Sequence, residues 1–579
     1  LSPANATLSI SGTTPATATY AATGTFSDGH TADITAATAF SLADSTLGSF
    51  NGNGFTSGTQ QGGKTVVQGA AGQVIGSTGL TLTLAEQYND PDSGVPPNPG
   101  GLFTGPPTGA APKIVYPNDG VLLPPNLGRL EIHFLPGAGN TLFELSFANA
   151  LTDVKVFLTC TFPLNGGCIY LPDPKVWAWI ARTNRGGAPL ALTIKGTDAT
   201  GSAVGTSTPV NVGFSYDDIN GGLYYWTTSN NTAIMRFDFA SATQTAASKF
   251  ADTTLTGGTC VGCHALSRDG TRLVAEVGGQ NDGRLLLMDV AQHAPLVSFP
   301  AAGKSTFESW NPDGGAFVGV YGDNGANDYN LLLFTPAAAA PGSPADIPGT
   351  GSATNPADHP DWAPDGTKIA YVKVGNKGTM QRMWTGAIEM INATGSGWST
   401  PVEIIPSAPG KNRYYPSFAP DSAFLLFDES TCATAGVLDS TCNADTDMSA
   451  TLFAALATAG AAPVKLVKAN GPGIMDNGNT QLTNSFPKWS PFIFRRTFEL
   501  GAPLMWVTFS STRKFGLRSP PAGGTENPSG QFIWMTAIDP SQVAAGQDPS
   551  YPAFCLPFQD FTTSNHIAQW TTQVVGVIQ

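Results

Sequence analysis

Short apolar runs alternate with polar residues along the whole chain and are cut by Gly, Pro, Asn, Asp and Ser. Strand and turn follow one another in such a pattern. Over residues 1–85 the runs are Thr7–Ile10, Thr17–Phe26, Thr65–Gln68 and Leu80–Leu84, which predict a first β-sandwich. Residues 86–112 hold Pro91, Pro96, Pro97, Pro99, Pro106, Pro107 and Pro112 among many glycines, and read as a linker with no room for a core. A second sandwich is expected over residues 113–215, with strands at Leu130–Phe134, Val154–Leu158 and Leu190–Ile194 and core bulk from Trp177 and Trp179.

From about residue 216 a repeat sets in. Ala265-Leu-Ser-Arg-Asp-Gly270, Ser309-Trp-Asn-Pro-Asp-Gly314, Asp361-Trp-Ala-Pro-Asp-Gly366 and Ser417-Phe-Ala-Pro-Asp-Ser422 share one skeleton, and Lys488-Trp-Ser-Pro491 is a degenerate fifth copy. The aspartates at 269, 313, 365 and 421 are spaced by 44, 52 and 56 residues. Repeats of about 40–50 residues with several strands each are propeller blades. The Pro-Asp-Gly makes a tight turn and an apolar strand follows it, as in Lys368–Val372 and Ala423–Phe427. Strands near Gly222–Phe239 supply a sixth blade, with the C-terminal segment closing the ring. The fold class is therefore all-β: two sandwiches and a six-bladed propeller over residues 216–579.

Composition narrows the functions. The 579 residues are 41% apolar but only 12% charged, with a net charge of −14. No basic tract exists to neutralise phosphates, so nucleic acid is not an expected partner. No apolar run reaches the roughly 18 residues of a membrane span; the longest, Ser449–Val464, is broken by Gly460. The chain opens Leu1-Ser2-Pro3 without an initiator Met, as a processed or trimmed product would. Of seven cysteines, Cys160 with Cys168 and Cys432 with Cys442 flank short polar segments and are each placed to close a local disulfide, which implies an oxidising compartment. Cys555 is left over.

Cys260 and Cys263 belong to Cys260-Val-Gly-Cys263-His264, the C-x-x-C-H signature of covalent haem attachment. Two thiols add to the two vinyl groups of the porphyrin, and the next residue supplies the proximal imidazole. A redox disulfide or half of a zinc site are the alternatives. Zinc needs two further ligands at metal spacing, and a thioredoxin-like site needs a βαβ context; neither is evident in the sequence. Gly303-Lys-Ser305 lacks the first Gly of a P-loop, and neither G-x-S-x-G nor H-E-x-x-H occurs. Asp323, Asn324, Asn327 and Asp328 form one candidate calcium loop, and Asp439, Asp445 and Asp447 another; ordinary turns explain both equally.

Three resemblances add to this reading. Ala22-Thr-Gly-Thr-Phe-Ser-Asp-Gly-His-Thr-Ala-Asp-Ile-Thr35, the run from Gly63 and Leu80-Thr-Leu-Thr-Leu84 resemble the bacterial Ig-like group 2 repeat, a spacer module without catalysis. His359-Pro-Asp-Trp-Ala-Pro-Asp-Gly-Thr-Lys-Ile-Ala-Tyr371 resembles the blade motif of TolB-like six-bladed propellers. The splice of Cys260–His264 onto Ala265–Leu273 is similar to TolB-like propellers that carry C-x-x-C-H at a blade start. These resemblances imply an exported monohaem c-type cytochrome that passes electrons to a redox partner protein or an extracellular acceptor. The alternatives are a structural, filament-forming or adhesive surface protein that self-assembles through its Ig-like modules, or a haem enzyme such as a peroxidase.

Blade register then nominates the site. Six residues back from each blade Asp stand Cys263, Phe307, His359 and Tyr415, and aligning Trp489 with Trp362 adds Phe486. Equivalent positions in successive blades lie on one ring around the channel. His264 is the expected proximal ligand, with His359 first and His566 second as the sixth ligand; His359 as a blade cap is the alternative. Met288 and Met475 are further candidates, and His30, His133 and His293 read as surface or spacer residues.

Overall fold

The structure is a computed structural model. It describes all residues except 13, 129, 230–231, 279–282, 297–303, 321–328, 338–339, 342–343, 376–384, 432–443, 445, 499–500, 524–529 and 578–579. The chain forms two compact units, Leu1–Asp218 with Arg496–Glu499, and Ile219–Arg495 with Leu500–Gln579.

In the first unit both predicted sandwiches share one sheet. Strand Val74–Asn89 pairs with Gly63–Ala71 on one side and, in parallel, with Thr152–Thr159 on the other. The sheet continues through Leu142–Ala148, Leu190–Thr197 and Val210–Phe214. Strand Val74–Asn89 thus crosses the boundary expected at residue 85, and alternate residues from Leu80 to Glu86 stay buried. The expected linker also carries core: Phe103 is buried against Phe157, ring centroids 5.6 Å apart, with Leu142 alongside. Proline and glycine set its two 3-10 turns, Pro91–Ser93 and Pro99–Thr104, without keeping its apolar residues out of the interior.

Trp177 and Trp179 are buried, but on a helix, Pro174–Thr183, rather than a strand. Asp173 caps that helix by accepting from the Lys175 N–H, and Pro174 opens it. His133 departs from its expected surface role. It is fully buried in strand Ile132–Leu135, where Nε2 lies 2.7 Å from Glu131 Oε2. His30 is exposed and stacks on Phe26.

The second unit is the six-bladed propeller. The innermost strands are Val261–Leu266, Thr306–Trp310, Ala357–Trp362, Asn412–Phe418, Ser485–Trp489 and Asn565–Thr571, here the inner strands of blades one to six. Each begins a four- or five-stranded antiparallel sheet. Blade six is composite: Asn565–Thr571 pairs with Gly222–Thr227, which leads out to Ala233–Asp238 and Ser248–Asp252. Each inner strand contacts the next, and blade six returns to blade one, so the ring is closed by the pairing of two distant chain segments. Apolar side chains of adjacent blades fill the wedges, as with Ala265, Val274, Leu285 and Leu287 of blade one against Trp310 and Phe317 of blade two.

Cys160 and Cys168 are disulfide-bonded, with Cα atoms 5.6 Å apart, whereas Cys555 is buried and unbridged. Cys432, Cys442 and the candidate calcium residues other than Asp447 lie outside the described residues. Asp447 accepts from the Ser449 backbone and hydroxyl, an ordinary turn. Replacing both Cys160 and Cys168 by Ser should lower stability by about 2–3 kcal/mol, because the unfolded chain regains the closed loop's freedom. Urea unfolding of the first unit's signal measures this, and non-reducing peptide mapping should find Cys555 unlinked.

Candidate functional site

All six inner strands carry a β-bulge or irregularity at nearly the same level; five share one register, and that of blade one lies one residue earlier. Pairing with the neighbouring strand slips between Val261 and His264, Thr306 and Ser309, Asp358 and Asp361, Tyr414 and Ser417, Ser485 and Lys488, and, opposite Tyr224 and Trp226, at Ile567. A bulge inserts an extra residue and re-aims side chains. Here it turns one residue per blade into the channel mouth. Phe307, His359, Tyr415, Phe486 and Ile567 all take left-handed backbone, with φ between 44° and 55°. Such conformations cost about 1–3 kcal/mol each and persist only where surroundings enforce them. Cys263 holds the sixth place without positive φ.

The register reading therefore places its residues together. Cys263, His264, Phe307, His359, Tyr415 and Phe486 line one cleft at the channel mouth. Glu308, Lys488, Ile567 and Gln569 line it too and were not nominated from the sequence. Blade six has no Pro-Asp-Gly to count from, although Trp570, three residues past Ile567 as Trp362 is past His359, marks the same register. Glu308 follows Phe307 in the skeleton and carried no signal of its own.

The cleft is aromatic. His359 stacks on Tyr415 at 3.9 Å and meets the edge of Phe307 at 4.2 Å, and Tyr415 stacks on Phe486 at 3.8 Å. Cys260 and Cys263 are unbridged and half-buried, and Cys263 packs with Trp226, Phe307 and Phe486 in the cluster that floors the mouth. Trp226 donates its indole N–H to the Val261 carbonyl at 2.8 Å, which seats the ring beneath Gly262. A Cβ at Gly262 would stand 3.3 Å from that ring, so the residue between Val261 and Cys263 has to be small.

Three buried imidazoles converge here. His264 is 3% exposed and neither ring nitrogen has a hydrogen-bond partner. Burial pushes it down to about 4, opposed by the Tyr224 backbone carbonyl, which forms no hydrogen bond of ordinary geometry with it. His566 is 2% exposed, stacks on Trp226 at 4.7 Å, and likewise has both nitrogens unpartnered. Burial and then the neighbouring His264 push it down to about 3. His359 is held well below its ordinary value by burial and then by the Lys488 charge. Its Nδ1 accepts from the Tyr415 N–H at 3.3 Å, and only Nε2 is unpartnered. All three rings are thus neutral near pH 7, the state in which an imidazole nitrogen can bind a metal.

Deeper in the channel, Lys488 and Asp361 form an ion pair at 2.8 Å, and Asp361 also accepts from the Phe418 N–H. Asp358 is held well above its ordinary value by burial, despite accepting from the His359 N–H. Met288 lies in the interior of blade one, Met475 sits on the 3-10 turn Ile474–Asp476, and His293 binds the Phe250 carbonyl, so none of the three belongs to the cleft. Among the described residues, no cluster of three or more His, Cys, Asp or Glu forms an all-protein metal site. The donors that line the cleft, the Cys263 thiol, the adjacent His264 imidazole and His359 across an aromatic wall, with Cys260 three residues before Cys263 in the chain, suit a planar macrocyclic metal complex instead.

The fold and its mouth thus define a six-bladed β-propeller with a C-x-x-C-H on its first inner strand. No known protein family's profile matches the chain. A stretch of 64 residues, 11% of this chain and 7% of the other protein, is 42% identical to ice-binding protein 1 of Shewanella frigidimarina. Among solved structures, TolB of Acinetobacter baumannii matches at 9% identity, covering 67% of this chain and 80% of its own, with a TM-score of 0.36. A protein of Agrobacterium tumefaciens described as a TolB matches at 12% identity, covering 61% and 99%, with a TM-score of 0.33. The propeller stands on its own strand pairings.

Lys488→Met should leave Asp361 as a buried charge without its cation and destabilise the propeller by on the order of 3 kcal/mol. Lys488→Met with Asp361→Leu should recover most of that loss. Chemical unfolding of the two variants decides it; equal losses would show that the pair is not coupled.

Proposed function

We propose that the chain is an exported monohaem c-type cytochrome whose propeller holds the haem at the channel mouth, bonded to Cys260 and Cys263 with His264 as proximal ligand. The observation that carries this reading is the gathering of the motif's His264 with two other buried, neutral imidazoles, of which His566 has both nitrogens unpartnered. The attachment sequence is read at one strand, yet His359 lines the same cleft and His566 packs beside it against Trp226 and Phe486, both from residues far along the chain. The haem, when bound, supplies one-electron transfer. His264 and a second buried imidazole would hold the group, and Phe307, Tyr415 and Phe486 would supply its aromatic surroundings. The likeness to haem-bearing TolB-like propellers points the same way. The Cys160–Cys168 disulfide supports an oxidising compartment, and haem c is attached in bacteria outside the cytoplasm. Among the described residues no helix is long and apolar enough to cross a membrane. A redox protein or an extracellular acceptor is the partner this role requires.

For the sixth ligand, hydrogen bonding favours His566 over His359. A neutral imidazole has one N–H and one lone pair. The Tyr415 N–H occupies the lone pair of His359 Nδ1, which puts the proton on Nε2 and leaves no lone pair there for iron. His566 has no such bond and can present either nitrogen. His359 then positions Tyr415 and the aromatic wall.

Protein made in a host with the haem-attachment machinery should keep its haem through acid-acetone extraction and give a c-type pyridine haemochrome; extractable haem or a haemless product overturns the reading. His566→Ala should turn a low-spin spectrum high-spin, while His359→Ala should stay low-spin. The reverse result would return the sixth ligand to His359.

A further inference from the structure

Behind the mouth lies a second compartment, which shares Glu308, Lys488 and Gln569 with the mouth cleft. Three residues past the mouth ring, each blade supplies one wall residue: Leu266, Trp310, Trp362, Phe418, Trp489 and Trp570. The prolines of the blade turns, Pro312, Pro364, Pro420 and Pro491, form its outer rim. Its charged groups are almost all engaged. Lys488 is paired with Asp361, and Arg268 donates to the Pro491 carbonyl at 2.7 Å.

Glu308 is the exception. It is 6% exposed, lines both the compartment and the mouth cleft, and neither carboxylate oxygen has a hydrogen-bond partner. The nearby Ser305 hydroxyl is directed at the Thr306 and Val320 carbonyls instead. An unpartnered buried carboxyl is costly, and proteins retain such groups where something else completes them. The missing partner has to be a hydrogen-bond donor, and a cation satisfies a carboxylate best. A bare metal ion is not suited, since Asp361 is already engaged and hard cations need several oxygens. Four indoles that line the compartment instead present ring edges and faces of the kind that attract organic cations.

We propose that this compartment binds an organic ammonium cation with an apolar or aromatic body, its charged head on Glu308 and its body against the tryptophans. The reading is independent of the haem. An anion would meet an acidic floor, and a neutral apolar molecule would leave the carboxyl as unsatisfied as before.

Isothermal titration of the full-length protein with phenethylammonium and with its neutral counterpart 2-phenylethanol tests it. The ammonium should bind once per chain and at least tenfold more tightly than the alcohol. Glu308→Gln should remove that preference and leave the alcohol unchanged. Equal binding of both probes, no binding, or an unaltered preference in the variant would overturn the proposal. Should Glu308→Gln fail to fold, the wild-type protein decides. Burial pushes the Glu308 carboxyl up to about 7, so between pH 6 and 8 it ionises while the ammonium stays charged, and affinity should rise about tenfold. The other titratable groups around it are His264, Glu276, Asp358, His359 and Asp361 on adjoining blades, and Lys488 across the channel. Of these Asp358 is also held high, so the rise must survive Asp358→Asn. A flat profile counts against Glu308 as the cation's partner.

Discussion

Blade is fastened to blade by tryptophan. The indole N–H of Trp226 in blade six donates to Val261 of blade one, Trp310 of blade two to Ala265 of blade one, Trp489 of blade five to Ser417 of blade four, and Trp570 of blade six to Thr508 of blade five. A buried indole needs an acceptor, and here the acceptor belongs to the neighbouring sheet. These bonds set the spacing of the inner strands. They also set where the bulges fall, because each bulge lies a few residues from an indole in the same or the adjoining strand. With strand spacing and bulge register both fixed, the mouth residues have one place to point.

The channel that results is layered. The mouth ring is aromatic and holds the neutral imidazoles; below it the Lys488–Asp361 pair and Glu308 make a polar belt; below that lie the indoles. The belt separates two environments of different polarity along one axis. A group in the mouth is surrounded by rings and by histidines that burial keeps uncharged; of the charged groups nearest to it, Lys488 and Asp361 are paired and Glu308 is not.

Much of this was legible because the blade skeleton has a fixed length from its turn to its bulge. Counting back from Asp269, Asp313, Asp365 and Asp421 lands on the mouth residue each time. The method fails where the skeleton is absent: blade six has no Pro-Asp-Gly, so Ile567 was missed and His566 entered only as a guess at how the ring closes. The order of His359 and His566 depends on one backbone N–H from Tyr415, which no sequence pattern encodes. In the first unit, Asp173-Pro174 was a readable helix start passed over because its surroundings read as strands. Glu131 and His133, two residues apart in one buried strand, signalled a paired interior histidine.

The closing strand Asn565–Thr571 brings His566 and Trp570 to a blade whose other strands were made more than three hundred residues earlier. During synthesis, then, His264 emerges long before His566. Until the final strand arrives, blade six offers Gly222–Thr227 as an open edge, and the first blade lacks one neighbour. The growing chain must keep that edge from pairing with other chains for the whole interval. The order of synthesis, rather than stability of the finished ring, becomes the step at which this architecture is most exposed to misassembly.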